Sequence, residues 1–497
     1  MSKVKSPWWQ DEPLDSHLET NIKRLNEILG VGKSFDMICR QMTYGGKKCA
    51  FYFIDGFAKD EILNWIMNRL ADLKEEDLKS QSVRRLFDME IAYIEVDQTD
   101  KMGKVVDSIL SGPTVMLIDG ESTAIIIDTR TYPVRGPEEP DTERVVRGAR
   151  DGFVETIIFN TALTRRHVRD PGLRMEYLQV GRRSKTDICL AYIEDLADPR
   201  VVEELRTSIS KIDTDSLHMA EKTLEEHLFK RYWNPYPMVR FTERPDVAAV
   251  HLMEGHVLIY VDTSPSVMIT PSTFFHHVQH AEEYRQKPIV GAFLRLVRLL
   301  AMGFSLFLLP LFYLATIHSE FLPSFLQFVA IENNSRLPLF LQFVIAEVWI
   351  EILRMASIHT PSPLATAMGL IAGILLGEIA INTGWFASEV VLYVALVVIG
   401  TFASPSYEMG MANKIVRLVL LAVTAIFGFA GFVIGCIAWL IWLARIKVLI
   451  TPYLWPLFPF DGKALIDVLI RSPMPNKTKR PSAISPQDPD RQSEHRR

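Results

Sequence analysis

From residue 299 to 317 no charged side chain interrupts the chain, and none again from 418 to 444. Each run is long enough to cross a hydrocarbon layer of about 30 Å, which takes about 20 residues of helix. Further apolar segments at 337–358, 364–381 and 385–403 lie between them, while 322–331 is too short to span. Four carboxylates, Glu347, Glu351, Glu378 and Glu389, lie inside these intermediate segments. A carboxylate at membrane depth costs at least ~2.5 kcal/mol and usually turns toward protein or water. The pattern predicts an all-α transmembrane domain over 299–456, with ion movement as the first function to test.

Basic residues constrain the topology. Arg295 and Arg298 precede the first segment, and Lys414 and Arg417 follow the fourth. Five crossings would place Arg445 and Lys447 on the other side, against the rule that basic residues stay cytoplasmic. Either 337–358 does not span, or the last segment bends back near Gly428, Gly431 and Gly435. Both ends are then cytoplasmic.

Before residue 290 the pattern is that of soluble α/β structure. A strand-like run at 50–57 is followed by a helical pattern at 59–70, and 188–196 is followed likewise by 199–212. The hairpin pattern 111–119 then 123–128 is matched by 254–262 then 266–270, each with Gly before its first strand and Asp after it. This predicts two similar small α/β lobes, at 41–136 and 173–272. A peripheral segment, 1–40, precedes them, and a helical linker, 137–172, joins them. An interfacial helix at 273–298 leads to the membrane, and a polar, Pro-rich tail at 457–497 is expected to be partly disordered.

The net charge of −5 over 497 residues argues against nucleic acid as a partner. The four cysteines form no C-x-x-C pair, and apolar surroundings make Cys189 and Cys436 packing residues. His276 and His280 share a helical face, but no third ligand follows, so no metal or cofactor is expected. Gly45-Gly46-Lys47-Lys48 lacks phosphate-loop spacing, and no hydrolase, zinc-protease or kinase motif occurs, so no enzyme is predicted.

Glu347 and Glu351, four residues apart, share one helical face with Arg354 nearby. They fit either an ion pathway or a buried ion pair joining helices. Gly369, Gly373 and Gly377 form two overlapping G-x-x-x-G steps ending at Glu378. Such a stripe permits close helix packing. It equally permits a narrow pore in which one carboxylate per subunit makes a ring that favours cations. Arg147, Arg150, Arg165 and Arg166 fit either binding of phosphate or membrane-lipid headgroups or, more simply, pairing with Glu138, Glu139, Glu143 and Glu155 between lobes or subunits.

Several blocks in order resemble the A subunits of the GerA-type spore germinant receptors. They are Glu139-Pro140, then 147–153 (Arg-Gly-Ala-Arg-Asp-Gly-Phe), Glu155 and Asn160; then Glu243-Arg244-Pro245-Asp246 and Gly255; then Glu351-Ile352-Leu353-Arg354, 377–381 and Pro452-Tyr453. The resemblance implies two cytoplasmic α/β lobes and a domain in the spore inner membrane. It also implies a ring of subunits conducting monovalent cations, with other germination proteins as partners. Arg147, Arg150, Gly152, Phe153, Glu155 and Asn160 are then the expected subunit or lobe interface. Two departures, Ile379 after Glu378 and 448–451 before Pro452, point to a divergent branch that works with a small membrane partner and amplifies germination. The rival function is a non-conducting scaffold for other germination proteins. A secondary transporter ranks last, because no membrane repeat is visible.

Overall fold

Apolar residues crowd the strands Lys47–Ile54 (β2) and Thr186–Ile193 (β7), which become the inner strands of two sheets. The computed structural model describes residues 8–58, 60–75, 96–130, 139–140, 143–321, 323, 335–359, 373 and 375–492. The chain divides into two compact units. One comprises Met1–Lys230, Val239–Ser272 and Pro475–Arg497; the other comprises Arg231–Met238 and Thr273–Met474.

The first unit holds the two lobes. In the first, β1 (Met37–Tyr44), β2, β3 (Val96–Thr99), β4 (Thr114–Ile118) and β5 (Ala124–Ile127) form one antiparallel sheet in the order β1-β2-β4-β5-β3. In the second, β6 (Leu173–Val180), β7, β8 (Arg240–Thr242), β9 (Val257–Val261) and β10 (Val267–Thr270) repeat it as β6-β7-β9-β10-β8. The similarity reaches individual hydrogen bonds. Asp119, after β4, accepts from the Leu18 N–H at 3.1 Å; Asp262, after β9, accepts from the Ile157 N–H at 3.1 Å. These amides open the helices Leu18–Leu29 and Ile157–His167, whose first N–H groups have no partner within the helix. Gly112 and Gly255 close the helices before β4 and β9 at φ 108° and 99°, a backbone region that favours glycine.

That repetition moves two boundaries. Residues 1–40 are not peripheral from Leu14 onward: Leu14, Leu18, Ile22, Leu25 and Leu29 lie in the first lobe's core. Helix Ile157–His167, expected as linker, is the second lobe's counterpart of Leu18–Leu29. The tail is not free either. The Gln487 backbone N–H donates to Leu196 O at 2.9 Å, and its side chain reaches Glu194 O and Ala197 O at 2.8 and 2.6 Å. Polar side chains hold it by backbone carbonyls, which composition does not reveal.

Among the described residues, the longer helices of the second unit are Pro288–Ile317, Leu339–His359, Ser388–Phe402 and Tyr407–Ala444. They pack around Leu309, Phe312, Phe343, Phe386, Val390, Val394, Val397 and Leu421. Pro288–Ile317 and Tyr407–Ala444 are each long and apolar enough to cross a membrane. Tyr407–Ala444 is broken at Gly428 (φ 62°, ψ −144°). Past the break the chain doubles back. A Cβ on Gly431 would lie 2.5 Å from Val423 O, and one on Gly435 would lie 2.9 Å from a Leu420 methyl. Tyr236 bonds Asn413 and Trp439 at 3.1 and 3.0 Å, so the two arms run side by side to their open end. The arms are roughly 30 Å and 23 Å long at 1.5 Å per residue. Residues 407 and 445 therefore sit at the same end, the arrangement that the basic residues require.

The interfacial helix expected at 273–298 is a single 3-10 turn, Phe274–His277, a short helix, Ala281–Arg285, and the start of Pro288–Ile317. His276 and His280 cap these turns: their Nδ1 atoms accept from the Thr273 and Glu282 N–H groups at 3.1 and 3.2 Å. The segment 322–331 lies outside the described residues except Pro323, and so does most of 364–381.

Candidate functional site

Two charge-bearing places stand out in the helical unit. Glu347 and Glu351 do share a face of Leu339–His359, and that face meets Lys414 and Arg417, three apart on the hairpin's first arm. Arg417 approaches Glu347 at 2.7 Å, and both side chains are 1% exposed. Lys414 lies 2.8 Å from Glu351 and 3.4 Å from Glu347, and donates to Glu347 O at 3.3 Å. The Glu347 oxygens meet these cations as charge contacts rather than as aligned hydrogen bonds. Arg417 also donates to Ser305 O, and Arg354 pairs with Glu351 while lying over the Tyr407 ring at 5.2 Å. The network ties three helices together. Its carboxylates are engaged by protein cations, so neither is left open to a passing ion in this arrangement.

Glu378 differs. It lies in the π-helical turn Leu375–Ile379, exposed, with no ion-pair partner among the described residues. Such turns often mark functional positions. A Cβ placed on Gly373 or Gly377 would meet nothing within 4 Å. The packing glycines contrast with them: Gly400 has Ala301 O at 2.5 Å, and Gly431 and Gly435 are filled by the neighbouring arm. The stripe beside Glu378 is thus not used for packing within the chain's described part. Gly369 lies outside the described residues. Glu389 sits in the first turn of Ser388–Phe402, where its charge suits the helix N-terminus.

The expected interface residues separate into two groups. Gly152, Phe153 and Asn160 are buried and engaged within the chain. Phe153 packs edge-on against Tyr260 at 5.8 Å, and its N–H donates to Glu243 O at 2.8 Å. Asn160 grips the Val154 peptide from both sides, at 2.8 and 2.6 Å. The first lobe repeats this grip with Asn21 on Asp15, at 2.9 and 2.7 Å. The side chains of Arg147, Arg150 and Glu155 are exposed, beside exposed Val146, Ile158 and Phe159. An outward role is open to these and closed to the buried three. Arg165, grouped in the sequence with exposed arginines, is 1% exposed and bonds both oxygens of Asp36, at 2.8–3.1 Å, joining the lobes.

Arg244, which the sequence shows only as part of the block Glu243-Arg244-Pro245-Asp246 without a role of its own, organises this region. It is fully buried, pairs with Glu139 at 3.2 Å and Asp246 at 3.1 Å, and donates to Glu143 O and Ala149 O at 3.1 and 2.9 Å. Arg244→Ala is expected to cost about 3 kcal/mol, because it strands these acceptors. Limited proteolysis would show it as early cleavage within 139–150. Burial raises the thiols of two cysteines out of the reactive range: Cys49 is pushed up to about 12 and Cys189 well above the ordinary thiol range. No group of three metal-ligating side chains occurs among the described residues.

Residues 23–483 match the family model described as Bacillus/Clostridium GerA spore germination protein. The chain is 48% identical over 460 residues to stage V sporulation protein AF of Bacillus subtilis (strain 168), covering 93% of each. It is 30% identical to the uncharacterized membrane protein YfkQ of the same organism, over 96% of this chain and 93% of that one. The crystal structure of the N-terminal domain of the A subunit of the Bacillus megaterium spore germinant receptor GerK3 aligns at 27% identity. It covers 53% of this chain and 98% of that one, with a TM-score of 0.42.

Proposed function

Because the chain belongs to the GerA family of spore germination proteins, we propose that it is the cation-conducting membrane subunit of a germination complex. It sits in the spore inner membrane with the two lobes on the cytoplasmic side. Several copies form a ring, and each contributes the Gly369, Gly373, Gly377 and Glu378 face to a central path. The observation that carries this reading is the pair of open glycines, Gly373 and Gly377, beside the exposed Glu378, which has no ion-pair partner among the described residues. A ring gives that stripe a use: bare backbone leaves room for an ion, and repeated carboxylates draw cations. Glu347 and Glu351 serve the path indirectly, by fixing the helices around it. Arg147, Arg150 and Glu155, with Val146, Ile158 and Phe159, are the side chains offered to a neighbouring subunit. The 48% identity to a stage V sporulation protein supports a role in sporulation and germination, where on this reading the protein amplifies germination together with a small membrane partner.

The test is potassium leak from liposomes holding the full chain. Leak above that of empty liposomes supports conduction. An assembled oligomer that stays silent with and without its membrane partner favours the scaffold.

A further inference from the structure

One carboxylate in the helical unit meets two guanidinium groups, and a third stacks on the neighbouring Tyr284 ring. Glu283 is fully buried and meets Arg295 at 2.6 Å and also Arg298. Arg471, 6% exposed, stacks against the same Tyr284 ring as Arg295, at 5.6 and 5.4 Å. The backbone supplies some acceptors. Arg295 Nη1 donates to Asp467 O and Val468 O at 3.1 and 3.0 Å, and Arg471 Nη2 donates to Tyr284 O at 3.1 Å. Others are missing: Arg295 Nη2 and Arg471 Nε and Nη1 are buried without a hydrogen-bond partner. The Asp467 carboxylate accepts from Ser472 and makes no ion pair with the three arginines. Gly291 holds the cluster tight, since a Cβ there would lie 2.7 Å from Arg471 Cδ.

Three cations stand against one anion, a surplus of two positive charges in a cluster whose Arg295 and Arg471 are buried. Burial of a charge without a partner is strongly unfavourable, and buried donors are almost always satisfied. Planar guanidinium forks suit tetrahedral oxyanions in particular. The cluster surrounds the start of Pro288–Ile317, a helix long and apolar enough to cross a membrane.

We propose that Arg295, Arg298 and Arg471 bind a phosphate group, with Glu283 and Tyr284 holding the guanidinium planes apart. The phosphate belongs either to an anionic phospholipid or to free phosphate in solution. This site is independent of conduction and would hold equally in a scaffold.

Native mass spectrometry of the detergent-solubilised full chain decides it, with phosphatidylglycerol, phosphatidylcholine or inorganic phosphate added after delipidation. One phosphatidylglycerol retained per chain by the wild type, not displaced by phosphatidylcholine and lost in Arg471→Gln, supports the lipid source. No lipid adduct, but a rise in Tm of about 3 °C with inorganic phosphate that Arg471→Gln abolishes, supports free phosphate. Arg298→Gln guards against a variant that fails to fold. Removing one excess cation should raise the Tm of the delipidated protein while weakening the response to phosphate. A wild type that retains neither ligand, with Arg298→Gln lowering Tm in the delipidated state, overturns the proposal.

Discussion

Glu347→Ala is expected to destabilise the helical unit by about 3–5 kcal/mol, the usual consequence of stranding a buried cation. Arg417 would keep its 1% exposure and its contact with Ser305 O, but lose the carboxylate 2.7 Å away. Lys414 can still reach Glu351, so the damage centres on Arg417. Thermal unfolding in detergent measures it. Replacing both partners by leucine should recover most of the loss, since a packed apolar pair removes the stranded charge. Glu351→Ala should cost less, about 1 kcal/mol, because Glu351 and Arg354 are both partly exposed. A Glu347→Ala protein as stable as the wild type would show that the network does not hold the helices.

The duplicated lobes were readable because the strand runs, the glycine before each hairpin and the aspartate after it are local features. Their third strands were less so. Arg240–Thr242 and Val96–Thr99 are short, and Asp97 and Gln98 show no strand alternation. Helix Leu18–Leu29 was recognisable as a helix, but not as part of the first lobe. Its membership rests on Asp119, about a hundred residues away. A signal did exist: Asn21 and Asn160 sit at matching positions in their helices and grip the residue six before.

In the membrane part, Gly428 was visible as a place to bend, because a helix there would otherwise put Arg445 and Lys447 on the wrong side. The shared face of Glu347 and Glu351 was also legible from their spacing. Their partners were not, since Lys414 and Arg417 come from another helix, where the sequence marks them only as topology signals. The same holds for Arg295 and Arg298, whose partner Glu283 lies in a short turn that no periodicity announces. Long-range charge pairing is a property of packing, and a single sequence does not display it.

The central claim is that Glu378 faces an ion path. Potassium flux through liposomes containing the wild type or Glu378→Gln, at matched oligomer content, tests it directly. A lost carboxylate at roughly 6 Å from a passing ion in a half-aqueous setting changes its energy by about 1.4 kcal/mol, so flux should fall about tenfold with assembly unchanged. Equal flux from the two proteins would contradict the account, and would leave the glycine stripe as a docking face rather than a pore.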